Sequence, residues 1–361
     1  MSAAAARLRD AERILVRSTN WVGDAVMSIP ALEALRARLP QTEIVLLSIP
    51  WVSELFWHHP AVDRQIVYKP DSDHRGPLGF AKLIRELREE QFDAALLFQN
   101  AFHAAWMAWR ARIPLRIGYA RDGRSFLLAD AIEPPSPAAY GHQANYYLQL
   151  LFRAGLIDRP QPVEEVRLHL SEEEGARAAR KLESLGLGGP RLLVGIAPGA
   201  AYGPAKRWLP DRFGGLADRL IGALGADVLI FGSAAERPLA EEVAASMKHT
   251  PAMVAGETSM RELLSLMDRC RLIVTNDSGS MHLAAALGVP LIAIFGSTDE
   301  RATGPLGARV RIVKRGVTCS PCGRRVCPID FRCMTGISVE EVFRTTLELV
   351  KRWNIRDDGR L

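Results

Sequence analysis

The feature that most constrains this chain is an alternation of two patterns. Short apolar runs, RILVR at 13–17, EIVLLS at 43–48, RQIVY at 64–68 and FDAALLF at 92–98, are separated by GDAVMSIPALEALRARL and LGFAKLIRELREEQ, whose apolar residues recur at helical spacing. Such a series predicts a parallel sheet covered by helices on both faces. It pauses at IEPPSPAAYGHQ, residues 132–143, and at LGLGGP, residues 185–190, with helical patterns near 143–155 and 171–184. After Pro190 a second series begins: RLLVGIA, DVLIFGS, RLIVTND and PLIAIFG. A chain of 361 residues exceeds one ordinary core and suits two domains of ~150 to 180 residues each. The expected fold is therefore α/β, with doubly wound domains at 1–175 and 186–337, a linker near 171–190 and a C-terminal helix in 338–361.

Composition narrows the function classes. Apolar residues make up 48% and charged residues 24%, a globular balance, and the net charge of +5 favours anionic ligands without demanding nucleic acid. That excess is local. Arg110, Arg112, Arg116, Arg121 and Arg124 face only Asp122 within 106–126, and seven Lys or Arg face only Asp330 within 309–332. The opening MSAAAARLRDAER is too short for a signal-peptide core, and no stretch approaches the ~18 apolar residues of a membrane span, so a cytoplasmic protein is expected. In that compartment Cys319, Cys322, Cys327 and Cys333 of CSPCGRRVCPIDFRC are thiols or metal ligands more readily than a disulfide frame. Their C-x2-C-x4-C-x5-C spacing lacks the two-knuckle pattern of common zinc modules, and metal, packed thiols and oxidised pairs all stay open.

Ligands of doubly wound sheets bind at strand ends, so the residues that follow each run are the candidates. In TNDSGSMHLAAALGVP, residues 275–290, Asp277, Ser278, Gly279 and Ser280 precede a helix whose first N–H groups suit a diphosphate. The bland alternative is an Asp277 or Ser278 N-cap with His282 packed. APGAAYGPAKRWLPDRF, residues 197–213, delivers Lys206 and Arg207 ahead of a Pro-initiated helix; the lysine is either a phosphate counter-charge or merely solvated. Glu236 in FGSAAERP suits ribose hydroxyls, or is a first-turn acid favouring the helix dipole. A dinucleotide dehydrogenase fits poorly, since the first turn, STNWVGDA, has no G-x-G-x-x-G, and no P-loop is present. The acid pair of DSD at 71–73 sits in a polar stretch and reads as a loop rather than a metal motif.

WVGDAVMSIPAL, PGAAYGPAKRW, FGSAAERP, AGETSM and TNDSGSMHLAAALGVP together resemble the ADP-heptose:lipopolysaccharide heptosyltransferase family, in order and over most of the chain. One departure is Leu209, inserted between Trp208 and Pro210, which is expected to shift a helix start without removing Lys206. The resemblance implies a GT-B fold of two Rossmann-like domains facing a central cleft, acceptor on the first and donor on the second, with VEEVFRTTLELVKRW packing back toward the first. It implies transfer of L-glycero-D-manno-heptose from ADP-heptose to the heptosyl-Kdo-lipid A inner core. By that resemblance Lys206 meets the donor diphosphate or sugar, Glu236 the ribose, Thr258 the adenine surroundings and Asp277 the heptose hydroxyls. Ser278, Gly279 and His282 would line the diphosphate.

A nucleoside diphosphate leaves without an acid, but the attacking hydroxyl needs a base. Asp24, after the first strand, matches the family's proposed catalytic acid residue in that role; its alternative is an N-cap beside Gly23. Arg116, Arg121 and Arg124 are the candidates for the anionic, Kdo-bearing acceptor. The expectation is metal-independent inverting transfer with no cofactor, no nucleic-acid partner and transient contact at the cytoplasmic face of the inner membrane. Heptosyltransferase I activity, a protein acceptor and non-catalytic nucleotide-sugar binding are the competing readings.

Overall fold

The computed structural model describes residues 3–355, and the chain divides into two compact units between Val163 and Glu164. The first unit holds β1 (Arg13–Arg17), β2 (Glu43–Ser48), β3 (Arg64–Val67), β4 (Ala94–Leu97), β5 (Leu115–Tyr119) and β6 (Asp130–Ile132). The second holds β7 (Leu193–Ala197), β8 (Asp227–Ile230), β9 (Ala252–Met253), β10 (Leu272–Asn276), β11 (Leu291–Phe295) and β12 (Val310–Lys314). Their spatial orders are β3-β2-β1-β4-β5-β6 and β12-β11-β10-β7-β8-β9, and every pairing is parallel. In each sheet the chain builds outward to one edge and then returns to build the other. The reversal falls between β1 and β4 in the first sheet and between β7 and β10 in the second, where doubly wound folds bind ligands.

Strands covered on both faces must be apolar on both, and β4, β7, β10 and β11 are buried at every position. In the first unit Leu15, Val45, Leu47 and Leu97 pack against Leu83 and Leu87 of the helix Gly76–Glu89. In the second, Val194, Ile196, Val274 and Ile294 meet Phe213, Leu216 and Leu220 of the helix Pro210–Leu224.

One segment differs from the sequence expectation. The helix Glu172–Ser184, read as part of a linker, is an integral element of the second unit and packs on the helix Met260–Arg269. It opens with a capping box: Glu174 N donates to Ser171 Oγ at 3.2 Å, and Ser171 N donates to Glu174 Oε2 at 2.8 Å. The same glutamate, 3% exposed, accepts from both Nε and Nη2 of Arg261 at 2.7 Å. A buried fork of this kind loses about 3–5 kcal/mol if one partner is removed, so it couples the helix to its unit. The C-terminal helix Val339–Arg352 is seated in the second unit on the helix Pro210–Leu224, β11 and β12. Its stripe of Val342, Leu349 and Val350 is buried there, with Arg219 2.6 Å from Glu340 and 4.0 Å above the Phe343 ring. Among the described residues no helix is long and apolar enough to cross a membrane.

Candidate active site

Lys206 follows β7 on the short 3-10 turn Pro204–Lys206, and Asp277 follows β10, so the reversal point of the second sheet places them side by side. Lys206 Nζ lies 2.7 Å from Asp277 Oδ2, with the side chains only 12% and 3% exposed. The Thr298 hydroxyl, beyond β11, donates to the same carboxylate oxygen. Asn276, fully buried at the end of β10, locks the arrangement: its Nδ2 donates to Pro198 O at 2.6 Å, and its Oδ1 accepts from Trp208 N at 2.9 Å. Trp208 is itself buried, with Nε1 donating to Ile337 O at 3.1 Å. The loop bearing Lys206 is thus held from both ends. Leu209 serves as N-cap of a helix that starts at Pro210, which absorbs the insertion and leaves Lys206 in place.

The helix Gly279–Ala286 starts beside this pair. Its N-cap is Ser278, in extended backbone, yet the Ser278 hydroxyl lies 3.3 Å from Thr275 Oγ1 and makes no cap bond. Asp277 is spent on Lys206 and Thr298. Neither residue caps the helix, and no capping side chain competes with an anion for its first N–H groups. His282, in the same helix, is 6% exposed.

The remaining donor candidates lie on neighbouring loops. Glu236, past β8, accepts from both Ser233 N and Ser233 Oγ at 2.9 Å, a capping box in keeping with the first-turn reading. Its carboxylate lies against Gly199, where a methyl group would come within 2.1 Å of Oε1 and displace the carboxylate. Thr258, half-buried, precedes the N-cap Ser259 of the helix Met260–Arg269.

In the first unit Asp24 follows β1 and is the third residue of the helix Val22–Met27, whose N-cap is Trp21, so Asp24 is not the capping residue. Its half-buried carboxylate accepts a hydrogen bond from Tyr147 Oη at 3.1 Å. Burial, and then the charge of Asp24, hold the Tyr147 phenol well above its ordinary pKa, so it stays a donor. The turn before Asp24 is shaped by Arg17, 2% exposed, whose Nη1 donates to Ser18 O at 2.7 Å and Leu47 O at 3.2 Å and whose Nη2 donates to Asn20 Oδ1 at 2.8 Å. Burial lowers its pKa to about 10.

The three acceptor arginines separate. Arg116 donates Nε to Leu127 O at 2.6 Å and Nη1 to Pro114 O at 3.1 Å and to Ile113 O. Arg124 is fully buried and ties Tyr119 O, at 3.0 Å, to Gln99 O and Asn100 Oδ1; desolvation lowers its pKa to about 10. Both guanidiniums satisfy main-chain carbonyls at the ends of β4 and β5, a need the sequence does not display. Arg121 alone is exposed, with its pKa raised by a hydrogen bond to Tyr146. The five cysteines are free thiols, and among the described residues no three His, Cys, Asp or Glu side chains are grouped to hold a metal ion.

The model of glycosyltransferase family 9 (heptosyltransferase) matches residues 80–331. Lipopolysaccharide heptosyltransferase 2 of Escherichia coli K12 is 34% identical over 84% of this chain and 88% of its own length. Lipooligosaccharide heptosyltransferase 2 of Haemophilus influenzae is 31% identical over 83% of this chain and 88% of its own. The solved ADP-heptose LPS heptosyltransferase II of E. coli superposes with a TM-score of 0.82 at 30% identity, over 95% of this chain and 99% of that one. The expected GT-B type of fold, built from two Rossmann-like domains, is thereby shown. With a family model spanning more than half its length and relatives above 30% identity, the chain is a glycosyl-transferring enzyme and belongs to glycosyltransferase family 9, the heptosyltransferases.

Proposed function

We propose that this enzyme transfers L-glycero-D-manno-heptose from ADP-heptose to the heptosyl-Kdo-lipid A inner core, working at the cytoplasmic face of the inner membrane. The observation that carries the reading is the Lys206–Asp277 pair beside the uncapped start of the helix Gly279–Ala286. Lys206 and the first helix N–H groups receive the diphosphate as it departs, Asp277 and Thr298 orient the sugar, and Glu236 and Thr258 take the ribose and adenine. Asp24, oriented by Tyr147, takes the proton of the attacking hydroxyl, and displacement at the anomeric carbon inverts it. Arg121 contacts an acidic group of the acceptor. The test is mass spectrometry of reactions with ADP-heptose and defined acceptors bearing either no heptose or one. A single heptose added to the one-heptose acceptor is expected. Addition only to the heptose-free acceptor would make it a heptosyltransferase I, and transfer to neither would remove the lipid A acceptor from the reading.

Positive charge and N–H groups supply what a divalent ion supplies in other transferases. Turnover is therefore expected to be the same, within about twofold, with a chelator or with added magnesium, because no catalytic step is assigned to a metal. Loss of activity in chelator that magnesium restores at once would contradict this. Slow loss accompanied by unfolding would instead implicate the thiol-rich loop.

A further inference from the structure

Lys206 by itself is a weak seat for a diphosphate. Its ammonium stands 2.7 Å from Asp277 Oδ2, so a short distance away the two charges largely cancel, and a bound diphosphate needs positive charge from elsewhere. The next cation along the chain, Arg207, is turned aside: its Nη2 donates to Ala200 O at 3.3 Å and its Nε is buried.

The cation tied to the Lys206 loop comes from the thiol-rich segment more than a hundred residues later. Arg325 Nε donates to Tyr202 O at 2.7 Å, and Arg325 O accepts from Ala205 N at 3.1 Å, one residue before Lys206. Tyr202 Oη donates to Gly323 O at 2.7 Å. The Tyr202 ring has Lys206 Nζ 5.0 Å and Arg325 Cζ 5.5 Å from its centroid, so both cations attend the same aromatic ring. Gly203 makes the docking possible, since a methyl group there would come within 2.4 Å of Arg325 O. On its other side the segment is bonded to the loop after β11: Cys322 N and Gly323 N donate to Ser297 O at 2.9 and 2.7 Å, and Ser320 Oγ donates to Gly296 O at 2.6 Å. The next residue of that loop, Thr298, bonds Asp277. Arg325 is exposed, and among the described residues its Nη atoms bond no partner.

We propose that residues 317–331 form a strap across the donor site and that Arg325 is the second cation for the diphosphate of the nucleotide sugar. The proposal rests on the donor reading above. The strap's backbone bonds to the loops after β7 and β11 fix the guanidinium beside Lys206, and its planar fork suits two phosphate oxygens at once. Cys319, Cys322 and Cys327 then belong to the scaffold of a charged strap, not to the chemistry of transfer, and Cys333 packs in the core behind it.

Titration calorimetry of the full-length protein with ADP and with adenosine tests this. Arg325→Ala is expected to weaken ADP roughly tenfold, the scale of one charge-assisted contact, and to leave adenosine binding unchanged. Arg325→Lys, which keeps the charge but loses the tie to Tyr202 O, should stay within about threefold of wild type. Arg324→Ala should have no effect. Unchanged ADP affinity in Arg325→Ala overturns the proposal. So does an equal loss in the Ala and Lys variants, or a loss that adenosine shares, since each would make the tie to Tyr202, not the charge, the cause. A wild-type protein that binds no ADP would bring down the donor reading itself, whereas wild-type binding that Arg325→Ala leaves intact brings down only the strap.

Discussion

Asp24→Asn is expected to leave the protein folded and its ADP-heptose affinity unchanged while kcat falls by roughly 10²-fold or more, the usual scale for a lost general base. The amide keeps the carboxylate's shape, and its oxygen still accepts from Tyr147 Oη, so the local hydrogen bond of 3.1 Å survives. A structural role predicts something else. Asp24 lies in the first turn of the helix Val22–Met27 behind the N-cap Trp21, and a carboxylate there contributes about 0.3–1 kcal/mol through the helix dipole. If that were its whole contribution, the variant would lose a few degrees of Tm and little turnover. Thermal melts, donor titration and turnover on the one-heptose acceptor separate the cases. A folded variant with near-wild-type kcat would refute the base assignment.

Lys206→Met combines two effects, and a second substitution separates them. Removing the ammonium strips a leaving-group contact of the kind worth roughly 10²–10³ in kcat. It also leaves Asp277, 3% exposed, without its cation, a loss on the order of 3 kcal/mol because a buried charge has become unpaired. Asp277→Asn placed in the same chain removes that charge. The double variant is therefore expected to regain most of the stability lost by Lys206→Met and to regain none of the activity. Denaturant melts and initial rates read the two quantities independently. Wild-type turnover in folded Lys206→Met would return this lysine to a structural role, and activity recovered by the double variant would show that the unpaired aspartate had been the whole defect.

Much of the fold was legible because parallel strands covered on both faces must be apolar throughout, and runs such as LIVTN and LIAIF leave no other reading. The strands that escaped, β5, β6, β9 and β12, are short or polar. β6, β9 and β12 are edge strands, where the demand for apolar side chains relaxes and the signal with it, and β9 has only two residues; β5 is interior, but Arg116 and Gly118 interrupt its apolar run. The domain boundary was misplaced for a related reason. The helix Glu172–Ser184 looks solvated in sequence, and only Arg261, 87 residues away, shows that its Glu174 is buried.

The candidate site divides along the same line. Asp24, Lys206, Asp277, Ser278 and Gly279 were readable because each follows a strand, and in a doubly wound sheet chain position after a strand already determines which edge of the sheet a residue occupies. Which side chains meet at that edge is a matter of strand order, and strand order is tertiary. Only the adjacency of β7 and β10 turns Lys206 and Asp277 into an ion pair, only the folded chain gives Asp24 the hydroxyl of Tyr147, and only it spends Arg116 and Arg124 on carbonyls. Sequence alone determined the residue types and the edge of the sheet, because periodicity and burial are local demands on composition. The tertiary structure decided the partners, because hydrogen bonds and ion pairs depend on distances of about 3 Å between groups that the chain separates by tens of residues.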